Sequence, residues 1–315
     1  MLEHFLRSKR PVRAVVVAAV LVSGLVSSPA AYAVRPGGNG RIAYLKAGPP
    51  NTDYDVVVFD GRFNHKLTDS HDFLDRVTWC DRSTLVGVQR AVGIVVLPID
   101  RGSTVGTPFT IYDDPANNLR DPACDPSGRK VALADTGGGS IVTVPVNGRH
   151  GLTSPVATTA LGGTPREPSW SSSGDYLAYE DDAGTVSVIE VAAASRHFIG
   201  SGTVVTPSTS GLRHGPSWRE DKIYYWKELE PATTPPTSTG IFSVRLGDLN
   251  EFGPYGGTAS EKCTDPAAMP DGDGFLCVGA DTFIKRFPGP TTLINTDARK
   301  PDVERRSSDD HHHHK

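Results

Sequence analysis

The sequence predicts an all-β fold assembled from repeats, and three observations lead there. A phrase of the form P-x-W-S-x-x-G-x-x-L-A-Y, clearest from Arg166 to Tyr179, recurs along the chain. Between recurrences, short apolar runs alternate with Gly and Pro clusters, and no long window beyond the N-terminal region keeps a helical period. Finally, the first and last copies are each only half of the phrase.

The spacing sets the size of the unit. With the proline position as anchor, copies fall at Val77, Pro122, Pro168, Pro216 and Pro266, in steps of 45, 46, 48 and 50 residues. A four-stranded propeller blade needs roughly 40–50 residues. Val131-Ala132-Leu133, Leu177-Ala178-Tyr179, Ile223-Tyr224-Tyr225 and Phe275-Leu276-Cys277 are apolar on successive residues, as expected of strands buried on both faces. Alternating strands follow at Ile141–Val144, Val186–Ile189, Ile241–Val244 and Phe283-Ile284. Weaker fourth strands are expected at Phe109–Ile111, Phe198-Ile199 and Thr292–Ile294.

The half copies say how the ring should close. Gly40-Arg41-Ile42-Ala43-Tyr44 matches the second half of the phrase, with no first half before it. Arg299-Lys300-Pro301-Asp302-Val303 matches the first half, with no second half after it. Together they complete one unit. The expectation is a six-bladed β-propeller whose first blade takes its innermost strand from the C-terminal end, which leaves no open sheet edge.

On these residues the chain resembles the TolB-like (PD40, WD40-like) β-propeller repeat family, whose usual phrase is P-x-W-S-P-D-G-x-x-I-A-F. Asp125-Pro126-Ser127-Gly128 and Pro270-Asp271-Gly272 keep its turn best, and the resemblance covers about residues 38–304. It implies a docking platform for envelope or extracellular proteins or peptides. TolB carries a further N-terminal domain, for which little length precedes the first repeat here. The fold alone does not assign a chemistry.

Residues 1–33 read as a cleaved signal peptide. Arg7, Lys9, Arg10 and Arg13 form a basic region, Ala14 to Val26 an apolar core, and Ala31-Tyr32-Ala33 a cleavage site, so the propeller should occupy residues 34–304 of a secreted chain. The apolar core is shorter than the ~20 residues that span a bilayer. A formal net charge of −4 argues against nucleic acid or an anionic membrane as partner. Four cysteines in an exported chain imply two disulfides, and positions within the repeat favour Cys80–Cys124 and Cys263–Cys277. The polar tail 305–315, with its four consecutive histidines, is expected to stay outside the fold.

No motif for a nucleophile, a zinc site or a phosphate-binding loop is present, and no cofactor is implied. Trp79, Trp170 and Trp218, one per repeat, read as wedges between sheets rather than a sugar-stacking set. One column does suggest recognition. Two residues before the anchor stand Asp75, Arg120, Arg166, His214, Thr264 and Arg299, which should share one height at a mouth of the central channel. Arg120, Arg166, His214 and Arg299 are therefore the candidate ligand-binding residues, for an anionic small molecule or oligosaccharide. The following column, Arg76, Asp121, Glu167, Gly215, Asp265 and Lys300, is mixed in sign and could neutralise the first. Two functions follow. One is a monomeric, non-catalytic interaction platform; the other is a lyase or hydrolase acting on extracellular anionic carbohydrate.

Overall fold

The computed structural model describes residues 40–47, 54–100, 102–147, 157–160, 163–191, 198–206, 212–228, 239–255, 263–268, 275–279, 284–287 and 298–304. The expected signal peptide, the histidine tail and the strand expected at Thr292–Ile294 lie outside them.

All regular structure among the described residues is β. In chain order come β1 (Ile42–Ala47), β2 (Tyr54–Phe59) and β3 (Asn64–Lys66), then β4 (Phe73–Asp81), β5 (Thr84–Gln89), β6 (Gly93–Pro98) and β7 (Phe109–Asp113). Next are β8 (Leu119–Cys124), β9 (Lys130–Asp135), β10 (Ser140–Pro145) and β11 (Ala157–Ala160), followed by β12 (Arg166–Trp170), β13 (Tyr176–Glu180), β14 (Val186–Val191) and β15 (Phe198–Val204). The last are β16 (Arg213–Arg219), β17 (Lys222–Glu228), β18 (Thr239–Arg245), β19 (Asp248–Phe252), β20 (Cys263–Ala268), β21 (Phe275–Gly279), β22 (Ile284–Phe287) and β23 (Ala298–Val303).

Every described sheet is antiparallel, and four of them are simple meanders. The orders are β11-β10-β9-β8, β12-β13-β14-β15, β16-β17-β18-β19 and β20-β21-β22. The longest sheet runs β23-β1-β2-β4-β5-β6-β7, and its two halves are joined by the single pair Tyr54 and Phe73. The first strands stand side by side: β4 against β8, β8 against β12, β12 against β16, β16 against β20, β20 against β23, and β23 against β4.

The apolar runs form strands because both their faces are covered. Val56, Val58, Val86, Val88, Leu133 and Leu177 have no exposed surface. The core consists of layers between neighbouring sheets. Trp79 packs with Ala43, Val58, Leu85 and Leu97; Trp170 with Ala123, Ala132 and Ile141; Trp218 with Ala178, Val186 and Tyr225. All three tryptophans are buried, as wedges should be. The polar turns are tied by their own side chains: Asp125 Oδ1 accepts the N–H groups of Arg129 and Lys130. Gly128 in that turn has φ +68°, and a Cβ there would sit 2.4 Å from the Cys80 carbonyl oxygen, so only glycine fits.

The first and last described strands meet. β23 pairs antiparallel with β1, Ile42 opposite Val303 and Leu45 opposite Arg299. Beyond the ladder, Glu304 Oε2 accepts from Arg41 N at 2.8 Å and Arg41 Nε at 3.1 Å, and the Arg41 guanidinium lies 4.7 Å from the centre of the Trp79 ring. Both expected disulfides are formed: Cys80–Cys124 joins β4 to β8, and Cys263–Cys277 joins β20 to β21.

Candidate functional site

Each first strand carries a bulge where the repeat phrase has its acidic residue and proline. The ladder slips between Arg120 and Ala123, Arg166 and Ser169, His214 and Ser217, and Thr264 and Ala267. One residue in each bulge takes a left-handed conformation: Asp121, Glu167, Gly215, Asp265 and, in β23, Lys300. Non-glycine residues pay for this conformation by about 1–3 kcal/mol each. The bulges bring the side chains of Asp121, Glu167 and Lys300 together from β8, β12 and β23.

In β4 the same bulge corrects the sequence alignment. The left-handed residue is Asp75, not Arg76, and Leu74 pairs with Val88 where Arg120 pairs with Ala134. Thr78 and Ala123 pair with the equivalent residues Val86 and Ala132, so β4 holds one residue more than its relatives. Asp75 therefore belongs with Asp121, Glu167 and Asp265; Leu74 occupies the arginine column; Arg76 is the inserted residue. Anchoring on Val77 hid the insertion. Aligning the acidic residues instead would have exposed it.

A cavity of about 600 Å³ opens over these bulges, and Arg120, Arg166 and His214 line it together. Arg299 lies beside it, with its guanidinium 5.6 Å from the centre of the Tyr54 ring that forms part of the wall. The structure thus brings the four candidate residues to one rim but gives them different roles. Arg120 Nη1 is 3.4 Å from Asp75 Oδ2. His214 stacks on Trp226 at 4.1 Å, with Nδ1 2.9 Å from Glu180 Oε1 and Nε2 3.6 Å from Glu228 Oε1. Arg166 and Arg299 are exposed and make no ion pair with any described residue.

Lys300, from the column of mixed sign, holds the acidic bulges together. Its Nζ donates to Asp121 Oδ1 at 3.2 Å and to Glu167 Oε1. Burial alone would lower the Lys300 pKa, but Asp121, Glu167 and Asp265 hold it well above the ordinary lysine value. For Glu167, burial opposes ionisation, yet Lys300 and Arg76 bring it down to about 2. Burial raises Asp75 and Asp265, the former helped by the neighbouring Asp121 carboxylate. At His214 burial favours the neutral ring, but Glu180 and the nearby glutamates outweigh it and raise the pKa. Burial lifts Glu180, against the pull of His214.

The residues that stitch the strands were also missed. Asp302 Oδ2 accepts from Trp79 N at 2.7 Å and Thr78 Oγ1 at 3.1 Å. Thr78 Oγ1 in turn accepts from Cys124 N, Ser169 Oγ from Trp218 N and Ser217 Oγ from Ala268 N. All four occupy the x of P-x-W. A hydroxyl or carboxylate in that one column was the legible signal.

Chemically, the rim combines two exposed guanidinium groups that make no ion pair with a described residue and a half-buried imidazole between carboxylates. Among the described residues, no group of three or more His, Cys, Asp or Glu side chains is arranged to hold a metal ion, and no helix is long and apolar enough to cross a membrane.

No family model matches the chain, and no curated protein matches it in sequence. Solved structures do match in shape. TolB from Acinetobacter baumannii superposes with a TM-score of 0.60 at 16% identity, covering 86% of this chain and 68% of that one. A chain from a nidogen/laminin complex gives 0.58 at 8% identity, covering 84% and 97%. The Cps50 (Swd1) β-propeller domain of Myceliophteria thermophila gives 0.50 at 9% identity, covering 76% and 80%. Identities this low speak to architecture alone, and in architecture the chain is similar to TolB and to WD40 β-propellers.

Proposed function

We propose that the protein is an exported six-bladed β-propeller, closed by β23, that serves as a non-catalytic interaction platform and receives an anionic group at the rim formed by Arg120, Arg166, His214 and Arg299. One observation carries the reading: Arg166 and Arg299 present exposed guanidinium groups beside a cavity and make no ion pair with any described residue. A guanidinium in that state is a ready bidentate partner for a carboxylate. The likeness to TolB supports a docking role, and the two disulfides fit an oxidising compartment. Residues 34–304 then form the domain released after cleavage near Ala33.

The test is a thermal-shift and pull-down comparison of wild type with Arg166→Ala/Arg299→Ala, using acidic oligosaccharides and acidic peptides. A ligand that raises the wild-type melting temperature should lose most of that shift in the double variant. Equal shifts in both proteins would overturn the reading. Edman sequencing of the secreted chain should start near Val34.

A second reading has its own observation. His214, held against Glu180 and Glu228 beside the same cavity, has the arrangement of a general acid or base. It supports a lyase or hydrolase acting on acidic carbohydrate. Turnover of such a saccharide by wild type, with loss in His214→Ala and retention of binding, would favour it over the platform.

A further inference from the structure

Further along the same first strands lies a second cavity, of about 420 Å³, distinct from the arginine rim. Its walls are the repeat prolines Pro122, Pro168, Pro266 and Pro301 and the edges of Trp170 and Trp218. Into it comes Arg76, the residue inserted in the β4 bulge. Arg76 is only 9% exposed, its Nε has no hydrogen-bond partner, and it makes no ion pair among the described residues. Burial disfavours its charge, but Glu167, Asp121, Asp302 and Asp265 keep it firmly ionised. A buried guanidinium with its Nε–H unmet is costly, and a ligand that meets it recovers that cost.

Two more donors face the same space. Ser169 Oγ accepts from Trp218 N at 2.9 Å and Ser217 Oγ from Ala268 N at 2.9 Å. Each hydroxyl still has its own proton to give. Asp302 is the carboxylate in the lining, and its Oδ2 already accepts from Trp79 N and Thr78 Oγ1. That carboxylate, with Asp121, Glu167 and Asp265 beyond Arg76, limits the negative charge the cavity tolerates. Arg219 also lines the cavity, but its Nη2 lies 3.8 Å from Glu220 Oε1, so Arg76 is the lining guanidinium that makes no ion pair among the described residues; a monoanion matches it, and a dianion such as phosphate would be repelled.

We infer that this cavity binds the carboxylate of a small organic acid. Arg76 grips the carboxylate through its planar fork, the Ser169 and Ser217 hydroxyls donate to it, and the prolines and tryptophans hold an apolar body. The site is independent of the arginine rim, and either can stand without the other.

The experiment titrates the full, disulfide-intact chain with phenylacetate, phenylacetamide and inorganic phosphate, by calorimetry and by tryptophan fluorescence. Phenylacetate should saturate, with the amide and phosphate about ten-fold weaker or more. Arg76→Met should lose about ten-fold or more in phenylacetate affinity, and Arg76→Lys, which keeps the charge without the fork, should fall between. If Arg76→Met fails to fold for want of its counter-charge, Arg76→Lys and the acid–amide comparison on wild type still decide. No saturable phenylacetate binding, equal binding of the amide, tighter phosphate, or unchanged affinity in Arg76→Lys would each overturn the proposal.

Discussion

Gly215 shows how much one residue decides at the rim. It is the glycine in a column otherwise filled by Asp75, Asp121, Glu167, Asp265 and Lys300, all left-handed. A Cβ at Gly215 would lie 2.7 Å from Glu167 Oε2 and 3.3 Å from the Trp226 ring. Gly215→Ala should therefore lower stability by about 1–3 kcal/mol, read as a fall in melting temperature, and loosen the His214–Trp226 stack. Glu167 makes a second prediction. Its pKa is depressed from 4.5 to about 2, so its ionised form stabilises the fold above about pH 4.5, and that contribution disappears as pH falls towards about 2. Urea titrations between those limits should show a steeper acid loss in wild type than in Glu167→Gln. His214 has the opposite sign. Its raised pKa stabilises the fold fully below the ordinary histidine value, and that contribution is lost as pH rises through the folded value.

At the scale of the strand, the stitch matters more than the ladder it accompanies, because it joins separate sheets. Asp302→Ala strips acceptors from both Trp79 N and Thr78 Oγ1, whereas Ser217→Ala strips one, from Ala268 N. Leaving a buried N–H unpaired costs about 1–3 kcal/mol, so Asp302→Ala should be the more destabilising in chemical denaturation. The Cys80–Cys124 bridge spans 44 residues and ties neighbouring first strands, so replacing both cysteines by serine should cost about 2–4 kcal/mol. Most of this was legible: the strand pattern, the disulfide pairs and the wedge tryptophans follow from residue type and period. The extra residue in the β4 bulge was not. A bulge changes register without changing composition, and its position is fixed by the partner strand β5.

At the scale of the whole molecule, the pairing of β23 with β1 brings residues from opposite ends of the chain into one sheet, with Glu304 and Arg41 locking its edge. Deleting residues 298–304 would expose β1 as a raw edge and remove both Asp302 and Lys300. The expected result is loss of cooperative unfolding and aggregation on size-exclusion chromatography. A monomeric, cooperatively unfolding deletion variant would show that this closure is dispensable.

The sequence by itself determined the all-β class, the repeat length, the two disulfides and the pairing of the two half-repeats, because period, strand propensity and half-repeats are local or countable. Only the tertiary structure decided which charges face which. Arg120 and Asp75, Lys300 with Asp121 and Glu167, and Arg76 with its unmet Nε come from different strands, and their distances depend on a one-residue slip that no local preference encodes. Coulombic and desolvation energies change steeply over a few ångströms, so the charge state of the candidate site follows from packing and not from composition.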